Sequence, residues 1–142
     1  MNTQKFLLSG IAGGMVAFFL GYLIYGLLLA DFFSQNAGTA MGLMRANNEM
    51  VWWALILGNL VFGLLYSYVF NKWANIQTMG SGAGAGWVVG LLMTAATDLT
   101  MYATTHISTL TGTLVDIVSG SVMAAIVGAV VGGMNGIGKK TA

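Results

Sequence analysis

Between Val51 and Phe70 the chain reads VWWALILGNLVFGLLYSYVF, a run without a single charge. Crossing the ~30 Å hydrocarbon layer of a bilayer takes about 20 mostly apolar residues in a helix. Three more stretches meet that requirement. One covers about 6–30 and is closed by Lys5 and Asp31; another covers about 83–102 and contains a single acid, Asp98; the last covers about 114–137, with Asp116 near its start and Lys139 and Lys140 beyond its end. A chain with four such runs has little choice of fold. The expectation is all-α: a four-helix transmembrane bundle forming one domain over residues 1–142, with both termini cytoplasmic and a short outer interfacial segment between the first and second spans.

Composition closes the alternatives. Of 142 residues only 6% are charged and 57% are hydrophobic, with 21 glycines besides, whereas a soluble domain carries about 25% charged residues. A disordered chain needs low hydrophobicity and high net charge, and the formal charge here is +1. No cysteine is present, which excludes disulfides, thiolate catalysis and Cys-ligated zinc. Without a basic excess, nucleic acid is not an expected partner.

Orientation follows from the cations, because cytoplasmic loops collect Lys and Arg. With both termini inside, Lys5, Lys72, Lys139 and Lys140 share the inner side and Arg45 stands alone outside. Trp52 and Trp53 then mark the outer interface, and Tyr66, Tyr68, Trp73 and Trp87 the inner one. The first run, at about 25 residues, exceeds the 7 to 15 apolar residues usual in a signal peptide, so it reads as an uncleaved helix.

Membrane helices associate by close backbone approach, which small residues four apart permit. The fourth span carries Gly120, Ala124, Gly128, Gly132 and Gly136 at that spacing. The third carries Gly82, Gly86 and Gly90, with Gly80 and Gly84 on an adjacent row, and the first carries Ser9, Gly13, Ala17 and Gly21. In the second, Gly58 and Gly63 flank Asn59, also placed at a packing surface. The ladder of the fourth span suits either the centre of the chain's own bundle or a seam between copies. With no proline anywhere, the spans are expected to be continuous helices.

This topology sends every carboxylate to the outer side. Asp31 ends the first span, Glu49 opens the second, Asp98 lies near the exit of the third and Asp116 opens the fourth; His106 and Arg45 join them. Glu49 and Asp116 read most simply as acids complementing helix N-termini, and Asp31 as a boundary charge. Asp98 differs, since an acid inside the apolar layer costs a few kcal/mol and marks a functional site by default. It shares a helix face with Thr94, Tyr102 and, more loosely, Thr105 and His106. It serves either a structural hydrogen bond or the handling of a cation or proton, with Asp116, Asp31, Glu49, His106 and Tyr102 as companions.

Other chemistry finds little footing. One histidine without cysteine cannot close a zinc site, so no metal centre is expected, and His106 reads as a polar loop residue. Met41, Met44 and Met50 are soft donors of the kind that suits Cu(I). Ala40, Met41, Leu43 and Met44 equally form the apolar side of a short interfacial helix. The spacing shows no nucleophile and base pair, and the glycine runs lack the strand and the Gly-Lys-Ser/Thr ending of a phosphate loop. Neither an enzyme nor a cofactor is expected.

Three segments, AFFLGYLIYGLLL from Ala17 to Leu29, TAATDL around Asp98 and LVDIVSG around Asp116, resemble a family of small bacterial four-helix integral membrane proteins of unknown function. The resemblance implies architecture and a multi-pass place in the bacterial inner membrane. Gly58, Asn59 and Gly63 are similar to a pattern in small fluoride channels, whose basic residue after the first helix and paired phenylalanines in the third are missing here. The leading functional expectation is a structural or interaction subunit that associates with itself or another membrane protein through its glycine ladders. The alternative is an oligomeric channel or carrier for a cation or protons, built around Asp98.

Overall fold

Small polar side chains set three of the helix starts in the computed structural model, which describes residues 2–137 and leaves Lys139 and Lys140 outside the described residues. The side chain of Asn2 accepts from the amides of Gln4 and Lys5 and opens α1, Thr3–Gly21. Thr78 accepts from Ser81 and opens α4, Met79–Thr104, and Thr109 accepts from Gly112 and opens α5, Leu110–Gly136. Each cap satisfies amides that a helix start leaves orphaned. Between them lie the short α2, Ala30–Gln35, and α3, Trp52–Val69.

The long helices are not regular throughout. Wider π-helical turns continue α1 over Tyr22–Leu28 and α3 over Phe70–Ala74. Asn75, left-handed at φ 49°, ends the second of these and turns the chain so that the amide of Ile76 donates to Phe70 at 3.0 Å. With the π turns included, four helices are long and apolar enough to cross a membrane: Thr3–Leu28, Trp52–Ala74, Met79–Thr104 and Leu110–Gly136. The third and fourth start about one turn earlier than the apolar runs suggest, because the Thr78 and Thr109 caps recruit the polar residues ahead of them.

Hydroxyls inside these helices are largely satisfied within the chain. In the second half of α4, Thr94, Thr97, Thr100 and Thr104 each donate to the carbonyl four residues back, at 2.7–3.0 Å. A helix crossing a bilayer needs this, because the hydrocarbon layer holds no water to do it instead.

Consecutive long helices run antiparallel, and backbone approach holds them together. Gly63 of α3 lies so close to α1 that a methyl group there would collide with the Gly10 carbonyl and the Gly14 amide. The same holds between α4 and α5, where a Cβ on Gly82 would strike Gly128 and one on Gly86 would strike Ala124. Gly120 faces Thr94, Gly132 faces Thr78 and Gly82, and Gly136 faces Gln77, so α4 covers the ladder of α5 as far as Gly132 and the residues just ahead of α4 cover its end. Gly90 sits on Ala124 and Ser121. On α1, Gly13 turns to Val127 and Val131 of α5 while Gly10 and Gly14 turn to α3. Among the described residues α5 is therefore the central helix, touching α1, α4 and, less extensively, α3.

Ala17, Tyr66, Phe70, Ala124, Val127 and Val131 form the core. Tyr66 is 1% exposed, so it belongs to this core and not to an interfacial belt. Trp53 and Trp73, each 71% exposed, do face outward. Asn59 makes its side-chain bond within α3, to Leu55 at 2.8 Å, and only its backbone carbonyl faces Gly14.

At the Lys5 end a polar network that the glycine pattern did not announce ties three helices. Ser9 and Ser67 hydroxyls lie 2.7 Å apart, Ser67 donates to the Phe6 carbonyl at 2.7 Å, and Asn71 donates to Asn135 at 2.9 Å. Lys5 Nζ reaches the Ile137 carbonyl at 2.6 Å.

Candidate functional site

At the end away from Lys5, carboxylates from α4 and α5 come to one place. Asp98 and Asp116 line a cavity of about 160 Å³ together with Met101, Tyr102, Thr105, Ile107, Ser108 and Thr113. Asp116 is the seventh residue of α5, well past its first turn, and Thr109 performs the capping that Asp116 was expected to perform. The carboxylate is thus free of its own helix's orphan amides and accepts from Tyr25 Oη at 2.7 Å.

Tyr25 is the site residue that sequence reasoning missed. It lies in the π turn of Tyr22–Leu28, and π turns commonly mark functional positions. Its ring packs on Phe33 of α2 with centroids 5.5 Å apart, so α2 steadies the phenol. The available signal was one of the two polar-tipped side chains, Tyr22 and Tyr25, within YLIYGLL. The register shift that aims it at Asp116 leaves no trace in the residue pattern.

Asp98 is less completely served. Oδ1 accepts from Thr97 Oγ1 at 3.3 Å, while the buried Oδ2 has no hydrogen-bond partner among the described residues. Close by, Thr94 donates to Gly90 at 2.8 Å and also reaches the Ile117 carbonyl across the α4–α5 seam at 3.3 Å. Two carboxyl groups facing one small cavity are a pair that can share a proton or hold a cation between them.

The remaining acids stand apart. Asp31 is exposed on α2, and Glu49 is exposed in the 3-10 turn Asn47–Glu49 before α3. Tyr102 does line the cavity, whereas the exposed His106 is not among its lining residues. Among the described residues no three His, Asp or Glu side chains gather as a metal site. The expected helix over Ala40–Met44 does not form; that stretch is irregular, with Met41 and Met44 standing out at 95% and 89% exposure. Gly42, at φ +74°, occupies the left-handed region that interrupts helix growth there.

A second cavity of about 590 Å³ adjoins the first. Tyr25, Phe33, Asn36, Ala37, Met44, Ile107, Ser108 and Asp116 are among its lining residues, so Asp116, Ile107 and Ser108 belong to both.

Comparison with known proteins adds no assignment: no family model, no curated protein and no solved structure matches the chain.

Proposed function

We propose that this chain is a four-span protein of the bacterial inner membrane, both termini cytoplasmic, that binds a proton or small cation and hands it on at Asp98, Asp116 and Tyr25. The observation that carries the reading is the meeting of two carboxylates from different apolar helices at one cavity, with a phenol from a third helix donating to one of them. Acids inside membrane helices are expensive and mark ion or proton pathways. The ladder of α5, which favoured an interaction role on sequence grounds, is covered by α4 and the residues just ahead of it in the same chain. That moves the weight toward the acids.

Flux of protons and of monovalent cations into liposomes containing the purified protein tests the proposal. Wild-type protein is expected to conduct at least one of them, and Asp98→Asn and Asp116→Asn to abolish that flux. Unaltered flux in both variants ends the proposal.

The interaction reading keeps one specific support. A Cβ on Gly80 or Gly84 of α4, or on Gly58 of α3, would meet nothing within 4 Å, and open rows of small residues are where membrane helices dock. Under that reading wild-type protein runs as an oligomer in mild detergent and Gly84→Leu as a monomer.

A further inference from the structure

Two connecting loops about 70 residues apart in the sequence are stitched together beside the acids. The amide of Gly38 donates to Ile107 at 2.8 Å, that of Ala40 to His106 at 3.1 Å, and that of Thr109 to Asn36 at 3.0 Å. Ala37 and Ser108 form an antiparallel bridge pair, and Thr109 Oγ1 adds a bond to Asn36 Oδ1 at 3.1 Å. The approach is so close that a Cβ on Gly38 would collide with the backbone of His106 and Ile107. Glycine is needed here for space, and no larger residue fits without parting the loops.

The stitched segment lies between two cavities. Ile107 and Ser108, together with Asp116, are the residues common to both cavities, so they form the partition between the small acidic chamber and the larger one beside Asn36 and Ala37. Only a handful of hydrogen bonds between short, partly exposed loops hold that partition, each worth about 1 kcal/mol net. Segments secured so lightly open locally long before the molecule unfolds.

We propose that this loop clasp is a gate: parting Asn36–Ala40 from His106–Thr109 lifts Ile107 and Ser108 and joins the two cavities into one water-filled path to Asp98 and Asp116. The inference rests on reading those acids as the functional site. It adds how the site is opened.

The natural absence of cysteine makes the test direct. Thr113→Cys places one thiol at a buried position lining the acidic cavity, and Ser121→Cys places one at a buried position deeper in α5 as a reference. Reaction with a membrane-impermeant maleimide is then followed with and without Gly38→Ala. Prying the clasp apart is expected to speed labelling at position 113 by about tenfold, as one lost hydrogen bond or more would, and to leave position 121 unchanged. Equal rates at 113 with and without Gly38→Ala, or equal acceleration at both positions, overturn the gate.

Should Gly38→Ala fail to fold, the converse variant decides. Facing residues of an antiparallel pair lie about 4.5–5.5 Å apart between Cα atoms, within disulfide range. Ala37→Cys with Ser108→Cys, oxidised, is expected to slow labelling at 113 about tenfold, and reduction to restore it; no change on oxidation refutes the gate. Labelling reads access and not transport. A failed flux assay with clasp-dependent labelling therefore removes the site's proposed role, and normal flux with clasp-independent labelling removes the gate alone.

Discussion

Two tyrosines show how environment decides what the same hydroxyl contributes. Tyr25 donates to Asp116 at 2.7 Å, whereas the hydroxyl of Tyr66, in a side chain 1% exposed, has no partner among the described residues. Removing one oxygen should act oppositely at the two positions. Tyr25→Phe keeps the ring on Phe33 but loses the bond, and should cost about 1 kcal/mol on the scale of hydrogen bonds between membrane helices. Tyr66→Phe relieves a buried unpaired polar group and should gain about 1 kcal/mol. Reversible unfolding in mixed detergent micelles measures both; a loss at position 66 would mean that its hydroxyl has a partner after all.

Helix by helix, glycine spacing disclosed which faces are thin, and the structure discloses what lies against them. Rows at Gly82, Gly86 and Gly90 and from Gly120 to Gly136 were legible because a four-residue repeat returns to one face of a helix. Their mutual pairing was not, since a thin face suits any neighbour. The adjacent Gly80 and Gly84 have the same spacing, and a Cβ on either would meet nothing within 4 Å. Alanine substitution distinguishes the two kinds of row. Gly86→Ala drives a methyl into the Ala124 backbone and should cost about 1–3 kcal/mol, as overpacking does. Gly84→Ala meets open space and should gain up to about 1 kcal/mol from helix propensity alone. If both variants unfold alike, the α4–α5 seam is wrongly placed. The π turns had no comparable signature. A widened turn depends on how α1 and α3 end against their neighbours, so Tyr25 stayed hidden while Asp98, an acid in an apolar run, stood out.

For the molecule as a whole, the presence of four helices long and apolar enough to cross a membrane was legible because lipid imposes length and apolarity on any crossing helix. Convergence of the acids was not, because it depends on the depth of each residue along its helix, and the Thr109 cap alone moves Asp116 from an expected first turn to the seventh position of α5. Two of the four carboxylates meet at the cavity; Asp31 and Glu49 are exposed and stand apart from it. Antiparallel packing places Lys5 and Lys72 at one end and the acidic cavity at the other. A membrane supplies the direction through its preference for Lys and Arg on the cytoplasmic side. Single thiols introduced at exposed positions on the two ends, Gln4→Cys beside Lys5 and Met41→Cys in the first connecting loop, read that direction. An impermeant thiol reagent applied to intact cells should label position 41 at once and position 4 only after the inner membrane is breached. The opposite order would put the acids on the cytoplasmic face. Labelling of both from outside would mean that α1 with its π turn does not cross the bilayer, and the site at its far end would then lie outside the lipid.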